Sequence, residues 1–151
     1  MEEHKLQVLK TLYTQQQSTA HIVRERMTKI TSGSIGLMVV IDGWLFTNSE
    51  SLNSTHTFML MLSIIVIFAV SIYGIHARYK EFSAVASLIV RIETAMKIYE
   101  PGYFINNEPL YPAAFQNLGK DNYEHGKNIF WTHTYILLTF GALSLGICLL
   151  V

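Results

Sequence analysis

The chain has 151 residues, half of them hydrophobic and only 15% charged, and its 11 basic and 11 acidic residues balance. A typical soluble domain carries about 25% charged residues, so this composition points away from an ordinary soluble fold. The zero net charge excludes a global electrostatic attraction to nucleic acid. Cys148 is the single cysteine, which excludes an intrachain disulfide. The polar first residues are followed by no apolar run, so no cleaved signal peptide is predicted.

The N-terminal segment, residues 1–29, has the composition of a helix. It contains no glycine or proline and is rich in Leu, Gln, Glu and Arg, which are good helix formers or neutral in helices. Its apolar residues fall roughly on one helical stripe. They are Leu6, Leu9, Tyr13, Ala20, Val23 and Met27. We expect this helix to run directly into the apolar segment that follows.

Three apolar segments predict membrane spans. A bilayer core of about 30 Å requires roughly 20 apolar residues in a helix. Residues 58–75 and 130–151 contain no charge, whereas Asp42 interrupts residues 30–46. A buried soluble helix is the alternative for this first segment, but the rest of the chain offers little for a large soluble core. The sequence therefore predicts an all-α integral membrane protein with three transmembrane helices.

The basic residues alternate between the two sides of these spans. Arg24, Arg26 and Lys29 precede the first span, and no Lys or Arg lies in residues 47–57. Arg78 and its basic neighbours follow the second span, and Lys127 precedes the third. Cytoplasmic loops carry the excess of Lys and Arg. We therefore expect a multi-pass protein of the cell (inner) membrane with a cytoplasmic N-terminus, a cytoplasmic segment 78–128 and an external C-terminus.

The segment after the second span predicts a long helix that extends into the cytoplasm. An apolar seam repeats at spacings of four, three, four and three residues. Its members are Val85, Ile89, Ile92, Met96 and Tyr99, opposed by Lys80, Glu81, Arg91, Glu93 and Lys97. One helix is thus predicted from about residue 58 to about residue 99, ended by Pro101 and Gly102.

The cytoplasmic segment continues as an aromatic loop. Pro109, Pro112, Gly119 and Gly126 argue against a long helix here, and one short helix is predicted near residues 113–117. The loop holds too many aromatic residues for a disordered linker, so we expect it to pack on the apolar seam. The resulting organisation is an N-terminal helix (1–29), two spans with an outer loop (30–77), a cytoplasmic helix and loop (78–128) and a third span (129–151).

Asp42 is the candidate pore residue. A carboxylate within a span is costly and marks a functional site by default, although this one lies close enough to the end of its span to reach outer water. Gly33, Gly36 and Gly146 supply small residues for close helix packing. Because three spans rarely enclose a path alone, we expect a homo-oligomer, with a tetramer as the predicted size. Packing within one chain is the alternative role of the glycines.

Basic and aromatic residues of the cytoplasmic segment form the candidate ligand site, since cations bind phosphates and rings stack on bases. The candidates are Arg78, Lys80, Arg91, Lys97, Tyr103 and Tyr111. Contact with lipid headgroups and an internal ion pair between Arg91 and a glutamate are the alternatives. No catalytic, cofactor-binding or metal-binding motif is present. His76 and His133 suggest paired haem ligands, but polar anchors at the membrane interface explain them better.

The order of these segments resembles a known family. A helical N-terminal segment and two apolar segments are followed by RYKEFSAVASLIVRIETAMKIYEPG, then by LYP with an aromatic residue shortly after, and by a final apolar segment. This architecture resembles the small multi-span membrane effectors of bacterial nucleotide-signalled antiphage defence, such as the Hailong-like membrane effectors. The resemblance implies an oligomeric ion channel, not an enzyme. Its cytoplasmic part would bind a cyclic nucleotide or short oligonucleotide made by a partner enzyme, and opening would depolarise the infected cell.

Two other classes fit the sequence. A membrane scaffold or subunit would use the cytoplasmic aromatic residues to bind a protein partner. A small membrane enzyme or redox subunit would carry a bound haem, but the lack of catalytic motifs argues against it.

Overall fold

The fold consists of three long helices and a short 3₁₀ helix. The computed structural model describes residues 2–48, 53–117 and 124–150. Helix α1 covers Glu2–Asn48, α2 covers Ser54–Ala95 and α3 covers Glu124–Leu150. The 3₁₀ helix, Ala113–Asn117, lies where the short helix was predicted. The described residues are thus all-α, and all three long helices are long and apolar enough to cross a membrane.

Helix α1 confirms the predicted continuity between the N-terminal segment and the first apolar segment, since it runs from Glu2 to Asn48 without a break.

Helix α2 begins after Asn53, whose Oδ1 accepts a 3.0 Å hydrogen bond from the backbone N–H of His56. This is an N-cap, which satisfies one backbone donor that has no partner in the first turn.

The predicted end of α2 was wrong. The helix ends at Ala95, before Pro101 and Gly102, because Lys97 adopts a left-handed conformation with φ 62°. The backbone N–H of Lys97 donates to Thr94 O at 3.0 Å, and that of Ile98 donates to Glu93 O at 3.2 Å. These two bonds are those of a Schellman motif, which satisfies the last carbonyls of a helix and turns the chain away.

The chain divides into two compact units. Unit 1 consists of Met1–Glu25 and Arg78–Ile129, and unit 2 consists of Arg26–Ala77 and Phe130–Val151. Helices α1 and α2 each supply residues to both units.

Unit 2 is a three-helix assembly with a narrow core. Met38, Ile64 and Leu137 are fully buried, one from each of α1, α2 and α3. A second cluster joins Leu45 and Cys148 to Ile64. At most 28% of the most apolar stretch of any helix is buried, so most of the apolar surface of these helices is not covered within the chain. Such a surface is compatible with a membrane environment.

Unit 1 packs the first part of α1 against the last part of α2. Ala20 of α1 forms a core cluster with Val85 and Ile89 of α2. Tyr99 of the predicted seam is also buried, whereas Ile92 and Met96 are half-buried.

The position predicted for Glu93, on the charged face opposite the seam, was wrong. Its residue is only 4% exposed. Residues three or four apart lie on the same face of an α-helix. Ala86, Ile89 and Glu93 have this spacing, and all three are buried. The coiled-coil spacing predicted Ile92 in the seam, and the buried residue is Glu93, one position further along the chain.

The loop after α2 returns to the end of that helix. The backbone N–H of Leu110 donates to Ile98 O at 3.0 Å. The rings of Tyr99 and Tyr111 then lie 6.4 Å apart, edge to face. The expected packing of the aromatic loop on the seam therefore holds at Tyr99, at the end of the seam.

Candidate functional site

Glu93 is the buried charged residue of unit 1 in the described part of the chain. Its carboxylate accepts a hydrogen bond from the hydroxyl of Tyr99, the residue six positions further along the chain. Burial of Tyr99 and this hydrogen bond raise the pKa of the Tyr99 phenol above its usual value. The phenol is a donor at neutral pH, as tyrosines ordinarily are, and the carboxylate has a polar neighbour in the same chain segment.

Two cavities lie beside Glu93. Each has a volume of about 280 Å³, close to the lower limit of roughly 300 Å³ for small-molecule sites. Gln17 and Glu93 line both of them. The first cavity is also lined by Arg24 and Phe82, and the second by Tyr111 together with Tyr13 and Phe115. A single buried carboxylate is therefore reached from two neighbouring cavities.

Aromatic rings and one guanidinium complete this site. Gln17 Nε2 donates a 3.1 Å hydrogen bond to the hydroxyl of Tyr13. The rings of Tyr111 and Phe115 lie 6.2 Å apart. Arg24 holds its guanidinium carbon 5.2 Å from the centre of the Phe82 ring, which is a cation–π distance. The site thus offers π-faces, a carboxylate and a guanidinium within one unit.

Most of the residues predicted as ligand-binding lie elsewhere on unit 1. Arg78 forms a 2.6 Å ion pair with Glu81. Lys97 lies 3.2 Å from the carboxylate of Glu100 and 5.2 Å from the ring centre of Tyr103. These basic residues are engaged with their chain neighbours.

Of the six predicted residues, Tyr111 lines a cavity beside Glu93, and Lys80 and Arg91 are exposed. The Glu93 carboxylate accepts from Tyr99, and the alternative ion pair between Arg91 and a glutamate does not form among the described residues. Gln17, Arg24 and Glu93 are not among the six residues predicted from the sequence. The spacing of Ala86, Ile89 and Glu93 was the signal that marked Glu93 as facing α1.

Unit 2 contains a second candidate site at Asp42, inside the first apolar segment. The Oδ2 atom of Asp42 accepts a 2.7 Å hydrogen bond from the hydroxyl of Ser144 on α3. Its Oδ1 atom is buried without a hydrogen-bond partner in the part of the chain that the structure describes. A buried carboxylate oxygen without a hydrogen-bond donor destabilises the folded state. A donor or cation from outside the described protein atoms would remove this cost.

Further polar pairs bridge the helices of unit 2. The hydroxyl oxygens of Ser34 and Ser71 lie 2.6 Å apart. Thr31 Oγ1 lies 2.9 Å from Nδ1 of His133. The ring of His76 packs edge-on to Phe130, 5.7 Å between centres. Each imidazole suggested as a haem ligand thus has its own contact within the chain.

The glycines of unit 2 fall into two groups. A Cβ atom on Gly141 would lie 3.3 Å from the Phe68 ring, so this glycine allows close packing inside the chain. A Cβ atom on Gly33, Gly36 or Gly146 would meet nothing within 4 Å. The small residues predicted to mediate helix packing therefore make no close packing contact within the chain.

No group of three or more described His, Cys, Asp or Glu residues is placed to hold a metal ion. Comparison of the chain with protein-family models, curated proteins and solved structures finds no match.

Proposed function

We propose that this protein is a subunit of a homo-oligomeric ion channel in the cell membrane. Unit 1 lies in the cytoplasm and binds a nucleotide or short oligonucleotide, supplied by a partner enzyme, that controls the channel. In the cell the channel acts in antiphage defence by depolarising the membrane. The defence role is supported by the resemblance in architecture, and the channel and its ligand are supported by the features that follow.

The observation that carries the channel proposal is the environment of Asp42. Ionisable side chains within membrane spans almost always face a bundle interior or a water-filled path. The Oδ1 atom of Asp42 is buried in an apolar segment and has no donor among the described residues. Helix movement on channel opening would expose this oxygen, and a permeating cation, or the water around it, would then complete its coordination.

The exposed glycines support the homo-oligomer. Gly33 and Gly36 lie one turn apart on α1, and the space beside each is open. Helices associate in membranes through faces of small residues, where backbones approach closely. A second copy on this face would cover them, and a tetramer is the size we propose.

The cavities of unit 1 support the ligand control. Helices α1 and α2 carry both cavity-lining residues and apolar segments. A ligand shifts an equilibrium only if it binds the open and closed states with different affinity. We expect ligand binding at Gln17 and Glu93 to change the helix positions that set ion passage.

Ion flux from vesicles that contain the purified protein tests the proposal. We expect flux that changes when candidate nucleotides are added. Asp42→Asn should alter conductance or cation preference and leave ligand binding intact, because the two sites belong to different units. Ser63→Ala, an exposed polar position on α2, is the control and should behave as wild type. Absence of flux under every condition, with unchanged membrane potential in cells, overturns the proposal.

A membrane scaffold is the second candidate, and the aromatic loop favours it. Tyr103 and Phe104 are 56% and 54% exposed, and Ile105 beside them is also exposed. Exposed aromatic side chains of this kind suit a protein partner. A monomer in mild detergent and in lipid discs, together with a partner lost on Tyr103→Ser, would favour the scaffold over the channel.

A further inference from the structure

We propose that unit 1 binds a guanine nucleotide, with the base at Glu93 and the phosphate at Arg24. This inference rests on the proposed function, since it names the ligand class of the same channel. It is carried by the juxtaposition of one buried carboxylate, one guanidinium and several aromatic rings around the first and second cavities.

The carboxylate of Glu93 selects for N–H donors. Its residue is 4% exposed, and the Tyr99 hydroxyl donates to one of its two oxygens. A carboxylate has about four lone-pair sites and accepts only, so acceptor capacity remains for a ligand. A bidentate charge-assisted pair is the strongest way to use that capacity.

Among the common bases, guanine matches a carboxylate best. Its N1–H and N2–H donors lie side by side on the Watson–Crick edge, so both can point at one carboxylate. Adenine and cytosine place an acceptor nitrogen beside their amino group, and that lone pair would repel a carboxylate oxygen. Gln17 lines the same cavities and carries an amide N–H that suits the guanine O6 acceptor.

The guanidinium of Arg24 in the first cavity favours a nucleotide over a cationic amine as the ligand. Arg24 lines this cavity together with Glu93, and its positive charge would repel an amine drawn in by the carboxylate. Arg24 follows Gln17 by seven residues on α1, about 10 Å along the helix. Guanidinium groups bind phosphate with two parallel hydrogen bonds. A ligand with a donor edge and an anionic end fits both residues.

The rings complete the case for a planar base. Tyr111 and Phe115 line the second cavity together with Gln17 and Glu93, whereas the Phe82 ring of the first cavity already carries the Arg24 guanidinium. Bases of every kind stack on such rings, so the aromatic residues hold the base plane while Glu93 selects its identity.

Calorimetric titration of the full chain in detergent tests the inference with GMP, IMP, AMP and guanosine. We expect GMP to bind at least tenfold more tightly than IMP, which lacks the 2-amino group, and than AMP. Guanosine should bind more weakly than GMP because it lacks the phosphate. The dinucleotide pGpG is titrated in the same way. Tighter binding of pGpG than of GMP would identify an oligonucleotide as the ligand, and equal binding would identify a mononucleotide.

Two variants assign the residues. Glu93→Gln should weaken GMP binding at least tenfold, while Glu100→Gln, an exposed carboxylate in the same unit, should not change it. Arg24→Gln should reduce GMP binding to the level of guanosine. If Glu93→Gln lowers the folded fraction, the preference of the wild-type chain for GMP over IMP decides instead.

Equal affinity for GMP and AMP, or no guanine binding by the folded chain, overturns the inference. If either of these outcomes is found together with ion flux that depends on another nucleotide, the guanine site is wrong and the proposed channel function is retained. Guanine binding without any flux supports the site and overturns the channel.

Discussion

The hydroxyl oxygens of Ser34 and Ser71 lie 2.6 Å apart and join α1 to α2 inside unit 2. Each hydroxyl also lies within hydrogen-bond distance of a carbonyl of its own helix, Ile30 O at 2.7 Å and Ile67 O at 2.6 Å. A hydroxyl has one proton, so one serine donates across the interface while the other donates to its own backbone.

This arrangement predicts a modest coupling energy. Removal of either hydroxyl leaves the other serine a carbonyl to bond, so no buried donor is orphaned. We expect a double-mutant cycle of Ser34→Ala and Ser71→Ala to give about 0.6 kcal/mol, the mean for hydrogen bonds between membrane helices. Unfolding in mixed detergent measures it. A coupling near zero would mean that the two hydroxyls do not interact in the folded chain.

Gly141 should tolerate no large side chain. A Cβ atom there would already lie 3.3 Å from the Phe68 ring, so Gly141→Leu should destabilise the protomer by about 1–3 kcal/mol through overpacking. Gly146→Leu is the matched control on the same helix, because the space beside Gly146 is open. Equal loss of stability in the two variants would contradict the role assigned to Gly141.

Gly36 should matter only for assembly. Nothing lies within 4 Å of its Cβ position, so Gly36→Leu should leave the protomer folded and weaken the homo-oligomer by blocking close approach of a second helix. Light scattering of the purified protein in detergent measures the size. Val70→Leu, at an exposed position on α2, should assemble normally. An unchanged oligomer in Gly36→Leu would remove this face from the interface.

Glycine should suit the left-handed backbone at position 97 better than alanine does. The φ of Lys97 is 62°, a left-handed conformation that costs a non-glycine residue roughly 1–2 kcal/mol. Lys97→Ala removes the contacts with Glu100 and Tyr103 but keeps the strain, whereas Lys97→Gly removes both. We therefore expect the glycine variant to be more stable than the alanine variant by about 1 kcal/mol. Thermal unfolding of the two purified variants measures the difference, and equal midpoints would refute it.

The alternation of basic residues predicts the topology. A reporter fused after Val151 should be active only outside the cytoplasm, and one inserted after Asn107 only inside. The opposite activity at either point would remove the three-span arrangement with an inner N-terminus. A reporter inserted in the predicted outer loop, residues 47–57, should be active only outside the cytoplasm and provides an independent check; residues 49–52 of this loop lie outside the described residues.

The helices and their apolar segments could be predicted from the sequence alone. Residues 1–29 contain no Gly or Pro, and residues 58–75 and 130–151 carry no charge. These are local properties, because helix propensity and hydropathy both add up along the chain. This is why α1 was predicted as one helix and why the three long apolar helices were found. The end of α2 escaped this reasoning because a lysine, not a glycine or a proline, adopts the left-handed turn.

The contacts between side chains of different helices could not be predicted from the sequence and are seen only in the folded chain. Asp42 and Ser144 are 102 positions apart, and their contact depends on how two helices are rotated about their axes. The same limit applies to α2. Successive residues of a helix are rotated by about 100°, so the buried face that was predicted to include Ile92 includes its neighbour Glu93 instead. Periodicity identifies a helix but fixes its buried face only approximately, whereas packing against α1 selects Glu93 and so places a carboxylate among aromatic rings.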